Sequence, residues 1–166
     1  MKTCWISLGI CLLLSCSSPE EEPRATTTLE YFENAIVIPP DPQADPYTAT
    51  RYIATRGSGD RRVFRYEYSI PAKPNIADTG FTEILLFEID PELTSFTAGG
   101  LALASLKPYY RQICYCASND SYPVTSGVIS GKRLSESRWE VTLDVAFPYG
   151  PVEQTLQVTG IFERQD

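Results

Sequence analysis

From Tyr47 onward the chain alternates apolar and polar residues with a period of two. That period places alternate side chains on opposite faces of a strand. Tyr47 to Arg56 and Arg61 to Ile70 flank Gly57-Ser58-Gly59-Asp60, which predicts a hairpin. In the second of these runs Phe64, Tyr66, Tyr68 and Ile70 share one face, and Arg65, Glu67 and Ser69 share the other. Phe81 to Asp90 is apolar on both faces, which predicts a central strand covered on both sides and ended by Pro91. Leu101 to Leu106 and Tyr109 to Ala117 are two further strand candidates around Pro108. Thr125 to Leu134 and Arg138 to Phe147 flank Ser135-Glu136-Ser137, a second predicted hairpin. In its second arm Trp139, Val141, Leu143, Val145 and Phe147 form an inward face, with Glu140, Thr142 and Asp144 outward. Gln154 to Arg164 closes the pattern, with Leu156, Val158, Gly160 and Phe162 on one face. Leu29 to Ile38, ahead of the Pro39-Pro40-Asp41-Pro42 break, reads equally as a short helix or an opening strand. The expectation is an all-β fold, an antiparallel sandwich or barrel of about eight strands.

The start of the chain has a different pattern. Lys2 supplies a positive charge, Cys4 to Leu14 is an apolar run too short for a permanent membrane span, and Leu13-Leu14-Ser15-Cys16 closes it. This ending resembles the lipobox of bacterial lipoproteins, with Leu13 three positions before Cys16 and the small Ser15 just before it. The resemblance implies a signal peptide over 1–15 and a diacylglycerol thioether on the Cys16 thiol, anchoring the protein stably once two or more acyl chains are attached. Ser17-Ser18-Pro19-Glu20-Glu21-Glu22 resembles the signal that sends lipoproteins of Bacteroidota to the outer face of the outer membrane; the periplasmic face is the alternative. Residues 17–28 hold nothing large and apolar and read as a disordered tether, leaving 29–166 as a single β-rich domain.

Composition narrows the chemistry. The formal charge is −7, and loss of Lys2 with the signal takes it to −8, which argues against nucleic acid and anionic lipid as electrostatic partners. Histidine is absent, which removes Ser-His-Asp and Cys-His catalysis and His-containing zinc sites. Carboxylates, tyrosines and thiols remain. Cys114 and Cys116 face one side of a predicted strand. They read as two small buried thiols or as a disulfide near the upper limit of bridgeable separation, and two cysteines alone do not complete a metal site. Tyr109, Tyr110, Tyr115, Tyr122 and Tyr149, with Tyr66 and Tyr68, are candidates for a ligand-stacking platform or for ordinary sheet composition. Trp139 reads as core. The acidic loops, Asp41 to Asp45, Asp90 with Glu92, and Asn119-Asp120-Ser121, lack the ordered spacing of a calcium loop.

The segment Gly127-Val-Ile-Ser-Gly131, the Trp139 strand and Leu156-Gln-Val-Thr-Gly-Ile-Phe162 are similar to the C-terminal half of small all-β lipoproteins of Bacteroidota, over residues 81–164. That resemblance implies fold class and location and transfers no catalytic residue. The expected function is a lipid-anchored, non-catalytic β-domain with a binding or structural role and no cofactor. Its partners would be the membrane, through the lipid on Cys16, and a glycan or a protein. The alternatives are a glycan-binding module of a polysaccharide-uptake system and a hydrolase using paired carboxylates.

Overall fold

The computed structural model describes residues 24–45, 47, 51–73, 76, 79–114 and 120–166. The expected signal peptide, Cys16, the acidic run at Glu20 to Glu22, Tyr115, Cys116 and Asn119 lie outside the described residues.

The chain is all-β, a curled mixed sheet that forms a half-barrel. Its strands are β1 (Thr26–Ile38), β2 (Thr55–Ser58), β3 (Arg61–Ile70), β4 (Phe81–Ile89), β5 (Ser95–Gly99), β6 (Tyr109–Cys114), β7 (Ser121–Pro123), β8 (Ser126–Ser135), β9 (Arg138–Tyr149) and β10 (Val152–Gln165). The spatial order is β5-β8-β9-β10-β1-β3-β4-β6-β7, with β2 beside the far end of β1. All neighbours are antiparallel except β1 and β10, which pair in parallel at Glu30–Glu163 through Phe32–Gln165. The sheet is therefore mixed, where a wholly antiparallel one was expected.

The ambiguous first segment is a strand, and it starts at Thr26, earlier than the expected domain boundary at Leu29. Thr26, Thr27 and Thr28 pair with Ser69, Tyr68 and Glu67 of β3. A bulge then interrupts β1 between Phe32 and Ala35, with Asn34 in the left-handed region at φ 53°. The extra residue inverts the alternation. Tyr31 faces the concave core, whereas Phe32, Ala35 and Val37 all belong to the convex-side cluster.

The bulge also explains why the hairpin expected at Gly57 to Asp60 does not form. β2 and β3 both pair with β1, so they are two halves of one kinked strand running alongside it. Gly59 donates its amide to the Asn34 carbonyl at 3.0 Å, inside the bulge. A Cβ on Gly59 would collide with the Ile36 side chain, so the glycine serves close approach rather than a reversal.

The hairpin of β8 and β9 does form, with Ser126 to Ser135 paired against Arg138 to Ala146. Trp139, Val141, Leu143, Val145 and Phe147 are all buried, as their alternation predicts. They meet Phe64, Phe87, Tyr31 and Phe162 in an aromatic core. The Phe64 ring stacks on Phe87 at 4.9 Å and meets Trp139 and Phe162 edge-on at 5.6 Å. β4 lies between β3 and β6 and is covered on both sides. Leu85, Phe87 and Ile89 enter the concave core, and Leu86 enters the convex cluster.

Leu101 to Leu106 is not a strand but part of a 3-10 helix, Gly100–Leu106. Leu103 and Leu106, three apart, fall on one side of a three-residue turn and plug the concave core. Leu101 is 100% exposed and Leu103 1% exposed, so the apparent period of two is accidental.

Candidate functional site

The convex face of β1, β3, β4 and β6 carries an enclosed groove of about 220 Å³, smaller but less open than the shallow depression of about 500 Å³ over β5, β8 and β9. Its floor follows from the strand register. Arg65 lies opposite Leu86, which lies opposite Tyr109, and Ile84 in the next row lies opposite Arg111. Phe32, brought to this face by the phase it holds before the bulge, extends the apolar floor toward β2. The outer wall is the segment leading into β2. The Ala54 amide donates to Ser121 Oγ at 2.9 Å, and the Ser121 amide donates to the Tyr52 carbonyl at 2.7 Å. These two bonds tie that segment to β7 and roof the end of the groove.

Three guanidinium groups reach the groove from three different strands. Arg65 is fixed by Glu30, at 3.3 Å, and by a close contact with Glu67. The Arg56 guanidinium carbon sits over the Phe32 ring, 3.8 Å from its centroid. Arg111 is partly buried. Burial lowers its pKa from the ordinary arginine value, and the charge of Asp120 offsets this only in part. The arrangement is an apolar floor with cationic donors at its rim.

The concave face has its own polar feature near its open end. Glu83 accepts a hydrogen bond from the Tyr66 hydroxyl at 3.4 Å and another from the Tyr110 hydroxyl. Burial raises the Glu83 pKa above its ordinary value, against the opposing effect of the two tyrosine bonds. Burial and the neighbouring Glu83 push Tyr66 up to about 12 and raise Tyr110 as well. Tyr110 stacks on Phe147 at 3.8 Å, and Tyr122 meets Tyr149 edge-on at 5.4 Å nearby.

The structure thus divides the expected tyrosine set. Tyr110, Tyr122 and Tyr149, with Tyr66, gather on the concave side, where Tyr110 and Tyr66 are core residues rather than a platform. Tyr109 faces the other way and lines the arginine groove. Adjacent residues on one strand face opposite sides, so Tyr109 and Tyr110 could not share a surface. Trp139 is fully buried in the core. Cys114, half-buried on β6, is disulfide-bonded. Among the described residues no group of three or more Cys, Asp or Glu converges as a metal site. Of the acidic loops, Asp90 caps the turn after β4 by accepting from the Glu92 amide at 3.0 Å and pairs with Arg61 at 3.4 Å. Asp41 likewise accepts from the Gln43 amide at 2.9 Å.

The groove arginines went unread in the sequence. Arg56, Arg65 and Arg111 sit on separate strands, each in an ordinary polar position, and only the register brings them together.

No family model matches the chain, and neither a curated protein nor a solved structure does.

Proposed function

We propose that the protein is a lipid-anchored, non-catalytic binding domain of the outer membrane, facing the cell surface, which holds a small ligand in the arginine-rimmed groove on the convex side of its half-barrel. The groove carries this reading. It is concave, floored by Phe32, Ile84 and Leu86, and rimmed by convergent polar groups, which is the general form of a small-ligand site. Its volume of about 220 Å³ lies below the range of about 300–1,000 Å³ usual for small-molecule pockets, which limits an occupant to a small one. The Cys16 lipobox supports the anchor, and the acidic run at Glu20 to Glu22 supports the surface address.

Binding is tested by titrating the purified protein with a panel of small saccharides and ring compounds while following amide NMR shifts. Shifts confined to the residues lining the groove are expected. An absence of shifts across the panel at millimolar concentration would sink the reading. The anchor is tested by metabolic labelling with palmitate, which Cys16→Ser is expected to abolish. The address is tested by protease treatment of intact cells, where full protection would place the domain in the periplasm.

A second reading, glycan binding, is favoured by one observation on the other face. Tyr122 and Tyr149 are half-buried and edge-to-face, so a pair of aromatic edges is available there. A glycan whose binding is lost in Tyr122→Ala and kept in Arg56→Gln would move the site to the concave mouth.

A further inference from the structure

The chemistry of the groove rim specifies more than its size. Resting on the reading that the groove is a ligand site, we propose that its ligand is a small organic oxyanion, a carboxylate or sulfate carried on a flat or ring-shaped body. Arg56 and Arg111 hold the anion, and Ile84, Leu86 and Tyr109 hold the body.

The three guanidinium groups are not equivalent, and the differences assign their roles. Arg65 already carries two carboxylates, Glu30 across on β1 and Glu67 two residues along its own strand. Its charge is spent within the protein, so it acts as a fixed wall. Arg56 is exposed, and its contact within the groove is the face of Phe32. Stacking on a ring leaves the in-plane N–H donors of a guanidinium pointing outward from the stack, free to bond an acceptor in their own plane. Arg111 stands opposite Ile84, across the floor from Arg56. It is partly buried, and Asp120 is a charged neighbour.

The remaining polar group fits the same ligand. Ser121 is buried and accepts the Ala54 amide through Oγ, so its hydroxyl hydrogen is left to donate. Two guanidinium groups and one hydroxyl at the rim are all donors toward a ligand, which matches an oxyanion and mismatches a cation. The floor of Ile84 and Leu86 offers nothing to hydroxyls and favours an apolar face. The overall acidity of the chain, at −7, makes this cluster of arginines more conspicuous, since the field around the protein would otherwise repel anions. Binding must consequently be short-range, set by contact rather than by steering.

The test compares matched pairs on the full-length chain in detergent by isothermal titration calorimetry: benzoate against benzamide, and glucuronate and glucose 6-sulfate against glucose. At least one anion is expected to bind about tenfold or more tighter than its neutral counterpart, the range for losing one or two charge-assisted hydrogen bonds. Arg56→Gln and Arg111→Gln are each expected to remove most of that difference. Arg56→Lys should recover little of it, because a lysine neither stacks on Phe32 nor presents a fork. Lys132→Gln, on the far side of the sheet, should leave it unchanged. Arg56 is exposed, so its variants keep the fold. Neutral partners binding as tightly as the anions would overturn the oxyanion assignment while leaving the groove as a ligand site. Anion binding that survives both arginine variants would overturn it too. No binding by any member would overturn the groove reading and this assignment with it.

Discussion

Glu33→Ala is the substitution whose cost the structure defines most closely. Arg62 is buried among aromatic rings, with its guanidinium carbon 5.1 Å from the centre of Trp139 and 5.7 Å from that of Tyr31. Glu33, from the β1 bulge, supplies its counter-charge. A single oxygen, Oε1, accepts both Arg62 Nε and Nη2 at 2.8 Å. The only other acceptor seen among the described residues is the Leu93 carbonyl, at a long 3.4 Å. The Arg62 side chain is 5% exposed and that of Glu33 21%. Removing the carboxylate leaves a desolvated cation over a core that cannot rehydrate it, which typically costs 3–5 kcal/mol. Partial access of water on the Glu33 side sets the expectation at the low end, about 3 kcal/mol. For a domain of this size that lowers Tm by roughly 10 °C.

The companion is Arg62→Met, which keeps an unbranched apolar stem against Trp139 and removes the charge. The double variant carries no buried ion and is expected within about 1 kcal/mol of the parent. Urea unfolding of the parent, both single variants and the double, with tryptophan fluorescence and a constant m-value, gives the coupling. A coupling of about 2 kcal/mol is expected, with the double variant more stable than Glu33→Ala alone. If Glu33→Ala costs under 1 kcal/mol, or the single losses simply add, Arg62 is hydrated in solution and the account of a sealed core end is wrong.

Four further outcomes follow from particular contacts. The Glu83 pKa is raised on folding, so its stability contribution is full below its ordinary value of 4.5 and is lost as pH rises through the higher folded value; Glu83→Gln should therefore gain on the parent as pH climbs from 4 to 8, and a pH-independent difference in denaturant midpoints would contradict it. The same sign applies to Tyr66, whose protonated form stabilises the fold up to pH 10.0 and is lost toward about 12, so alkaline unfolding should shift upward in Tyr66→Phe. Leu103→Ala should cost about 3 kcal/mol and Leu101→Ala almost nothing by thermal denaturation, whereas a strand at this position would make both costly. Gly127, at φ 102°, lies where a Cβ would collide with the Asp144 and Val145 backbone, while Gly150, at φ 61°, has open space around it. Gly127→Ala should lose about 2 kcal/mol or more and Gly150→Ala about 1 kcal/mol, and equal losses would reduce both to backbone strain alone.

The legible parts of the fold are those in which one local rule decides. The run from Trp139 to Phe147 alternates without exception because one face of β9 meets the core and the other meets water. Phe81 to Ile89 reads as doubly covered because both of its faces are packed. The misread parts are those in which one residue type serves two geometries. Glycines 57 and 59 look like a reversal, and the contact that decides otherwise is with Asn34 and Ile36, on a strand more than twenty positions earlier. Leu101 and Leu103 fit a period of two only when Leu106 is ignored. The parallel pairing of β1 with β10 joins the two ends of the domain and has no local signal. The candidate site follows the same rule. The tyrosines were visible as a composition, and that Tyr109 and Tyr110 oppose one another was implicit in their adjacency. The groove arginines needed the register of four strands.

The position of β1 has a mechanical meaning. It is an interior strand, flanked by β10 and β3, and it is the strand nearest the proposed anchor. Ladder hydrogen bonds run perpendicular to strands. A load arriving through the N-terminus and directed along β1 would draw on its bonds to both neighbours together, in shear, rather than opening them one at a time from an edge. The nine residues between Cys16 and Thr26 can reach at most about 32 Å. A domain held on so short a leash would meet drag from flow or from a captured ligand through the seam best placed to resist it.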